Sequence, residues 1–209
     1  MKEEKRMKLK VCGMRRSDNI KGLVDLAPDF IGFIFYPKSP RYANELDPEA
    51  LKAIPSSMLK TGVFVNAELS EIVSLVKKYQ LDAVQLHGDE SVEMVQELKQ
   101  RGLTVIKVFR IKDELPEALA VFEGHVDYFL FDTKSKDYGG TGQHFDWSVL
   151  LGYVYETPYL LSGGVELSDL EAIQSLSLPR LVGLDVNSKF ELEPGFKDLA
   201  LVKKLKEQL

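Results

Sequence analysis

Leu9-Lys10-Val11-Cys12-Gly13-Met14-Arg15 is a short β-type run that ends in a turn. That turn weighs one parallel-sheet fold against another. An open doubly wound sheet often follows its first strand with G-x-G-x-x-G. Here a single glycine follows Cys12, so the dinucleotide fingerprint is missing. The alternative is a closed barrel, in which the last residue of the run delivers its side chain to the barrel mouth.

The rest of the chain repeats the same pattern. Apolar, β-branched or aromatic runs occur at 9–12, 30–36, 61–65, 83–86, 104–109, 128–131, 159–161 and 181–186. The stretches between them carry helical spacing. Leu69, Ile72, Val73 and Val76 mark one face, and Leu167, Leu170 and Ile173 mark another. Ser168-Asp169-Leu170-Glu171 reads as a capping box. Asp47-Pro48 reads as an N-cap followed by a first-turn proline. Phe196, Leu199, Val202 and Leu205 recur every third residue and predict a last helix. Strand-helix alternation with short connections predicts a parallel sheet. Eight such units in 209 residues predict a single-domain (β/α)8 barrel of the TIM type. Residues 1–8 read as a flexible lead-in and 9–209 as the barrel domain. The glycine-rich connection 134–145 reads as a loop over the active site.

Composition narrows the function. The chain is 44% hydrophobic and 28% charged with a net charge of −5, which speaks against a nucleic-acid partner. No apolar run is long enough for a membrane span, and the charged N-terminus lacks the apolar core of a secretory signal. A single cysteine makes no intrachain disulfide, and the three histidines do not share zinc-ligand spacing with it. A reducing cytoplasm fits this usage.

In such barrels, catalytic groups stand at the C-terminal ends of strands and in the loops that follow. The rule collects Cys12, Arg41, Asn66, His87, Arg110, Asp132, Ser162-Gly163-Gly164 and Asp185-Val186-Asn187-Ser188 at one mouth. Loops after strands seven and eight are the usual phosphate site. Adjacent Gly163 and Gly164 let the backbone approach an anion, and a short helix starting near Asn187 and Ser188 would add its positive end. Gly140 and Gly142 would supply a further lid over a phosphorylated small molecule. His87 either touches substrate or supports a neighbour. Arg110 is open to the same two readings. Asp185 either orients the phosphate loop or supports Asp132. His125 and His144 read as surface residues, and Trp147 reads as packing.

The motifs KVCG, GFIFYPKSPR, GVFVN, VQLHG, FDT, YGGTGQHFDW and LSGGV occur in this order, followed by LDVNSKFE-x-x-PGFKD. Together they resemble the phosphoribosylanthranilate isomerase family along nearly the whole chain. The resemblance implies a cofactor-free Amadori rearrangement in tryptophan biosynthesis. In it, N-(5'-phosphoribosyl)anthranilate becomes 1-(2-carboxyphenylamino)-1-deoxyribulose 5-phosphate. By match of motif, it implies Cys12 as general base, Asp132 as general acid and Arg41 as the arginine that binds the anthranilate carboxylate. It is compatible with a homo-oligomer, since members occur as monomers and as dimers. One departure stands out: the commoner pattern DVSSGVE reads Asp185-Val186-Asn187-Ser188-Lys189-Phe190-Glu191 here. Lys189 then either adds a charge to the phosphate site or points to solvent.

The implied chemistry makes demands on the site. An acid must protonate the ring oxygen, and a base must then take the proton from C2. A free carboxyl titrates near ~3.9 and a free thiol near ~8.5, so each starts in the unhelpful form. Phe129 and Phe131 are the apolar neighbours expected to shield Asp132. Lys10 is expected to lie too far toward the other end of the barrel to act on Cys12. Two other readings compete. A barrel that also isomerises the histidine-pathway aminoaldose would use paired aspartates and two phosphate sites. A non-catalytic sugar-phosphate binder would have little reason to hold both Cys12 and Asp132 at the mouth.

Overall fold

The computed structural model describes residues 6–133 and 145–209. Eight strands close into one barrel in chain order: β1 (Lys8–Val11), β2 (Phe30–Ile34), β3 (Leu59–Phe64), β4 (Ala83–Leu86), β5 (Thr104–Ile111), β6 (Tyr128–Thr133), β7 (Tyr159–Leu161) and β8 (Leu181–Val186). Every neighbouring pair is parallel. Pairing of β1 with β8, from Lys8 with Gly183 to Val11 with Val186, closes the ring and excludes the open sheet. Of the expected lead-in, residues 1–5 lie outside the described residues. Arg6 donates to Asp29 at 2.9 Å, and Lys8 already belongs to β1.

Strand ends differ from the sequence reading where pairing partners set them. β2 stops at Ile34 because Tyr36-Pro37-Lys38-Ser39 turns, with the Ser39 N–H donating to the Tyr36 carbonyl. β5 and β6 run further than expected because Arg110 pairs with Asp132 and Ile111 with Thr133.

Helices α1 (Ser17–Val24), α2 (Pro48–Lys52), α3 (Leu69–Tyr79), α4 (Val92–Gln100), α5 (Leu119–Phe122), α6 (Leu170–Ser175) and α7 (Leu199–Lys206) lie between and after the strands. Asp47 caps α2 as expected, accepting from the Glu49 N–H at 3.0 Å. The capping box before α6 sits two residues earlier than expected. A 3-10 turn at Leu167–Asp169 precedes the helix, and the Asp169 carboxylate accepts from the Glu166 N–H at 2.7 Å. Phe196 is not in the last helix. It belongs to a small antiparallel hairpin of β9 (Glu191–Glu193) and β10 (Phe196–Lys197), and its ring packs under the Arg16 guanidinium. Among the described residues no helix is long and apolar enough to cross a membrane.

Strand alternation divides the core in two. Phe30, Ile106, Val108, Leu130 and Leu160 fill the barrel interior. Leu9, Val11, Ile31, Phe33, Phe129, Phe131 and Leu184 face outward under the helices. The same alternation sends Cys12 and Asp132 inward, above the interior apolar layer.

Candidate active site

Ten of the expected mouth residues line one cavity: Cys12, Arg41, His87, Asp132, Ser162, Gly163, Gly164, Asp185, Asn187 and Ser188. The cavity holds about 820 Å3, counting its open mouth. Gly140 and Gly142 lie outside the described residues, as does His144.

Cys12 leaves β1 at the floor of this cavity and is buried. The β1–β2 register brings it level with Gly32, where an added Cβ would lie 2.9 Å from the thiol sulfur. A glycine in the neighbouring strand therefore makes the room that the thiol occupies. Lys10 precedes Cys12 by two residues and so points to the same side of the strand. This corrects the expectation that Lys10 lies too far away. Its side chain is fully buried and donates to Asp185 Oδ1 at 2.8 Å. Burial pulls the Lys10 ammonium down, but the Asp185 carboxylate and Cys12 outweigh it, and the group is held above its ordinary value. Burial pushes the Cys12 thiol up, and the Lys10 cation offsets only part of that rise.

Asp132 sits on β6 with its carboxylate at the cavity wall. The Thr133 N–H donates to Oδ1 at 2.8 Å, and His87 Nε2 lies 3.4 Å from Oδ2. His87 therefore faces the carboxylate. Phe129 and Phe131 do not shield Asp132 as expected. They lie on the opposite face of β6, packed with Tyr153 and Tyr159. Arg110 donates to the His87 carbonyl at 3.3 Å.

The loop after β7 has Gly163 at φ +90° and Gly164 at φ +86°, conformations that exclude most side chains. A Cβ on Gly163 would lie 2.6 Å from the Thr133 backbone nitrogen, so this loop lies directly against the end of β6. Asp185 is buried and accepts from both Lys10 and the Ser162 hydroxyl, the latter at 3.1 Å. It thus orients the β7 loop. Lys189 lines the cavity with its ammonium 3.6 Å from Glu166, whereas Phe190 points fully into the core.

Arg41 does not stand alone. Glu191 takes its Nε and Nη2 in a bidentate fork, with Nη2 at 2.6 Å from Oε2. Lys197 Nζ donates to Glu191 Oε1 at 2.6 Å and to Asn187 Oδ1 at 2.7 Å. Glu191 and Lys197 lie in a quoted motif, yet neither received a role from sequence. The available signal was charge: LDVNSKFE-x-x-PGFKD places several ionisable residues next to a predicted phosphate loop.

A family model described as N-(5'phosphoribosyl)anthranilate (PRA) isomerase matches residues 9–208. The N-(5'-phosphoribosyl)anthranilate isomerase of Parabacteroides distasonis is 47% identical, over 97% of this chain and 93% of its own. The crystal structure of phosphoribosyl anthranilate isomerase from Thermotoga maritima aligns with TM-score 0.82 at 33% identity, covering 97% of this chain and 98% of that one. A further structure of the isomerase, in complex with reduced 1-(o-carboxyphenylamino)-1-deoxyribulose 5-phosphate, aligns with TM-score 0.79 at 31% identity over 97% of each chain. The family match over residues 9–208 and the closed barrel shared over 97% of the chain agree, and the chain belongs to the phosphoribosylanthranilate isomerase family, isomerases of tryptophan biosynthesis.

Proposed function

We propose that Cys12 and Asp132 carry the isomerisation of N-(5'-phosphoribosyl)anthranilate as general base and general acid. Asp132 donates a proton to the furanose oxygen as the C1–O bond breaks, and the anilino nitrogen becomes a protonated imine. Cys12 then removes the proton from C2. The C2–H electrons move into the imine, giving an enolamine that tautomerises to the ketone. The imine is the electron sink, and the carboxyl returns to its acid form by taking up a proton.

One observation carries this reading: the only thiol of the chain and the Asp132 carboxylate line the same cavity. Strands β6, β7, β8 and β1 are consecutive in the ring, so the two groups stand on strands three places apart around one mouth. The Lys10 ammonium beside Cys12 supplies positive potential for the thiolate. His87 orients the carboxylate of Asp132. Ser162, Gly163, Gly164, Asn187 and Ser188 form the phosphate end. Arg41 meets the anthranilate carboxylate with its remaining N–H donors. The partner is thus a phosphorylated small molecule with two anionic ends. A chain whose single thiol serves as base suits a reducing compartment such as the cytoplasm.

The test is conversion of N-(5'-phosphoribosyl)anthranilate by the purified chain, together with calorimetry on Arg41→Ala using the reduced product. Turnover is expected, and Arg41→Ala should weaken the reduced product by about tenfold or more, the scale of a lost charge-assisted pair. Tight binding without turnover would instead identify a sugar-phosphate binding protein. Unchanged affinity in Arg41→Ala would leave this arginine a structural partner of Glu191 with no part in binding.

A further inference from the structure

Arg41, Glu191 and Lys197 form a buried chain of charges whose arrangement asks for a fourth member. Glu191 holds Nε and Nη2 of Arg41, while Nη1 makes no hydrogen bond among the described residues. Arg41 also lines the cavity. Side-chain exposure falls from 13% at Arg41 to 4% at Glu191 and 0% at Lys197, so solvent barely reaches the inner two. Two cations and one anion leave one net positive charge. In a poorly hydrated site, that charge favours an anion at the open edge of Arg41.

The backbone makes the arrangement stiff. The Lys197 N–H donates to Asn19 Oδ1 on α1 at 2.8 Å, and Asn19 Nδ2 donates back to the Lys197 carbonyl at 3.0 Å. The Gly195 N–H donates to Glu191 Oε1 at 3.0 Å. Gly13, at φ +81°, lets Asn187 and Arg41 crowd together, since a Cβ there would lie 2.7 Å from Asn187 Oδ1 and 2.8 Å from Arg41 Cδ.

We propose that Glu191 and Lys197 are positioning residues for the substrate carboxylate: Glu191 clamps one edge of Arg41 so that the other edge faces the cavity, and Lys197 neutralises Glu191 so that the trio keeps one positive charge. The proposal rests on the reading of Arg41 as the carboxylate ligand. It assigns the recognition of that end to three side chains rather than one.

The charge of Lys197 is open to titration. Burial pushes its ammonium down to about 8, against the raising effect of Glu191. The charged or ionisable groups acting on it are Glu191 at the start of β9, Cys12 after β1 and Arg41 from the loop after β2. The Lys10–Asp185 pair lies beside Cys12. Loss of the Lys197 proton leaves Arg41 and Glu191 mutually cancelled, and the carboxylate end loses its net charge.

The experiment measures binding of the reduced product by calorimetry in a Cys12→Ala background, which removes the thiol as a second titrating group. Affinity is expected to fall about tenfold between about pH 7 and about pH 9.5. Lys197→Met should bind about tenfold more weakly at the lower pH and show no further fall. Glu191→Gln should weaken binding at both. Ribose 5-phosphate lacks the carboxylate and should hold its affinity across the range. A flat profile for the reduced product overturns the proposal without any substitution at 197. An equal fall for ribose 5-phosphate also overturns it, by moving the action of Lys197 to the phosphate end. If Arg41→Ala in the same background binds as tightly as its parent, the reading of Arg41 fails. If Arg41→Ala binds weakly while the pH profile is flat, only the present proposal fails.

Discussion

Cys12 works, on this account, because of two residues that surround it rather than because of its own type. Gly32 makes room for the sulfur, and Lys10 offsets part of the burial that pushes the thiol up. The candidate site was legible where a residue's position alone decided its place. Cys12 and Gly163 follow their strands, Asp132 is the last residue but one of β6, and all three reach the mouth. Lys10 is where distance along the barrel misleads, because the direction of a side chain counts as well. Its two-residue offset from Cys12 already puts both side chains on one face. The pH dependence follows. A thiol base whose titration is raised gains reactivity as pH rises, so kcat/KM is expected to keep rising beyond about pH 8.5. Lys10→Met removes the offsetting cation. It should move this limb further up and lower kcat/KM near neutrality by about tenfold or more. A pH–rate profile checks both points, and a plateau below about pH 8 in the wild type would contradict them.

Strands were more legible than their ends. Apolar and β-branched runs located all eight, but pairing with neighbours set where each one stops, as in the extension of β5 beside β6. The loops depended on contacts that sequence does not display. Lys107 of β5 is buried outside the barrel wall and donates to Glu90 at 2.9 Å and to the Gly88 carbonyl at 2.6 Å. Glu90 in turn accepts from the Asn66 and Gly88 N–H groups. This ion pair ties the loops after β3 and β4 to β5, and so fixes the segment that carries His87. With side-chain exposures of 4% and 1%, neither partner can turn to water. Lys107→Met leaves the Glu90 carboxylate buried without its cation and should destabilise the fold by about 3–5 kcal/mol. Urea unfolding checks this, and a loss below about 1 kcal/mol, the scale of an exposed pair, would show the pair to be idle.

At the scale of the molecule, one closed ring brings residues from opposite ends of the chain to a shared mouth. β8 returns to β1, so Asp185 meets Lys10 and the loop after β8 meets Arg41. Charge buried by that closure appears in stability. Burial holds the Lys197 ammonium down at about 8 in the fold, against 10.5 for the free group. Between those values the unfolded chain binds a proton that the folded chain does not, so the Lys197 contribution to stability rises with pH in that window. Below it, the burial cost is fully present. Wild type should therefore gain on the order of 3 kcal/mol relative to Lys197→Met from about pH 7.5 to about pH 10.5, read from denaturant midpoints. A constant difference would mean that Lys197 does not titrate there. The central claim is that closure sets a thiol base against a carboxyl acid across one substrate. Its most direct test is turnover of N-(5'-phosphoribosyl)anthranilate by Cys12→Ala and Asp132→Asn, with affinity for the reduced product measured in parallel. Each variant is expected to lose about a hundredfold or more in kcat while binding the reduced product within about threefold of wild type. Wild-type turnover in either variant would contradict the account.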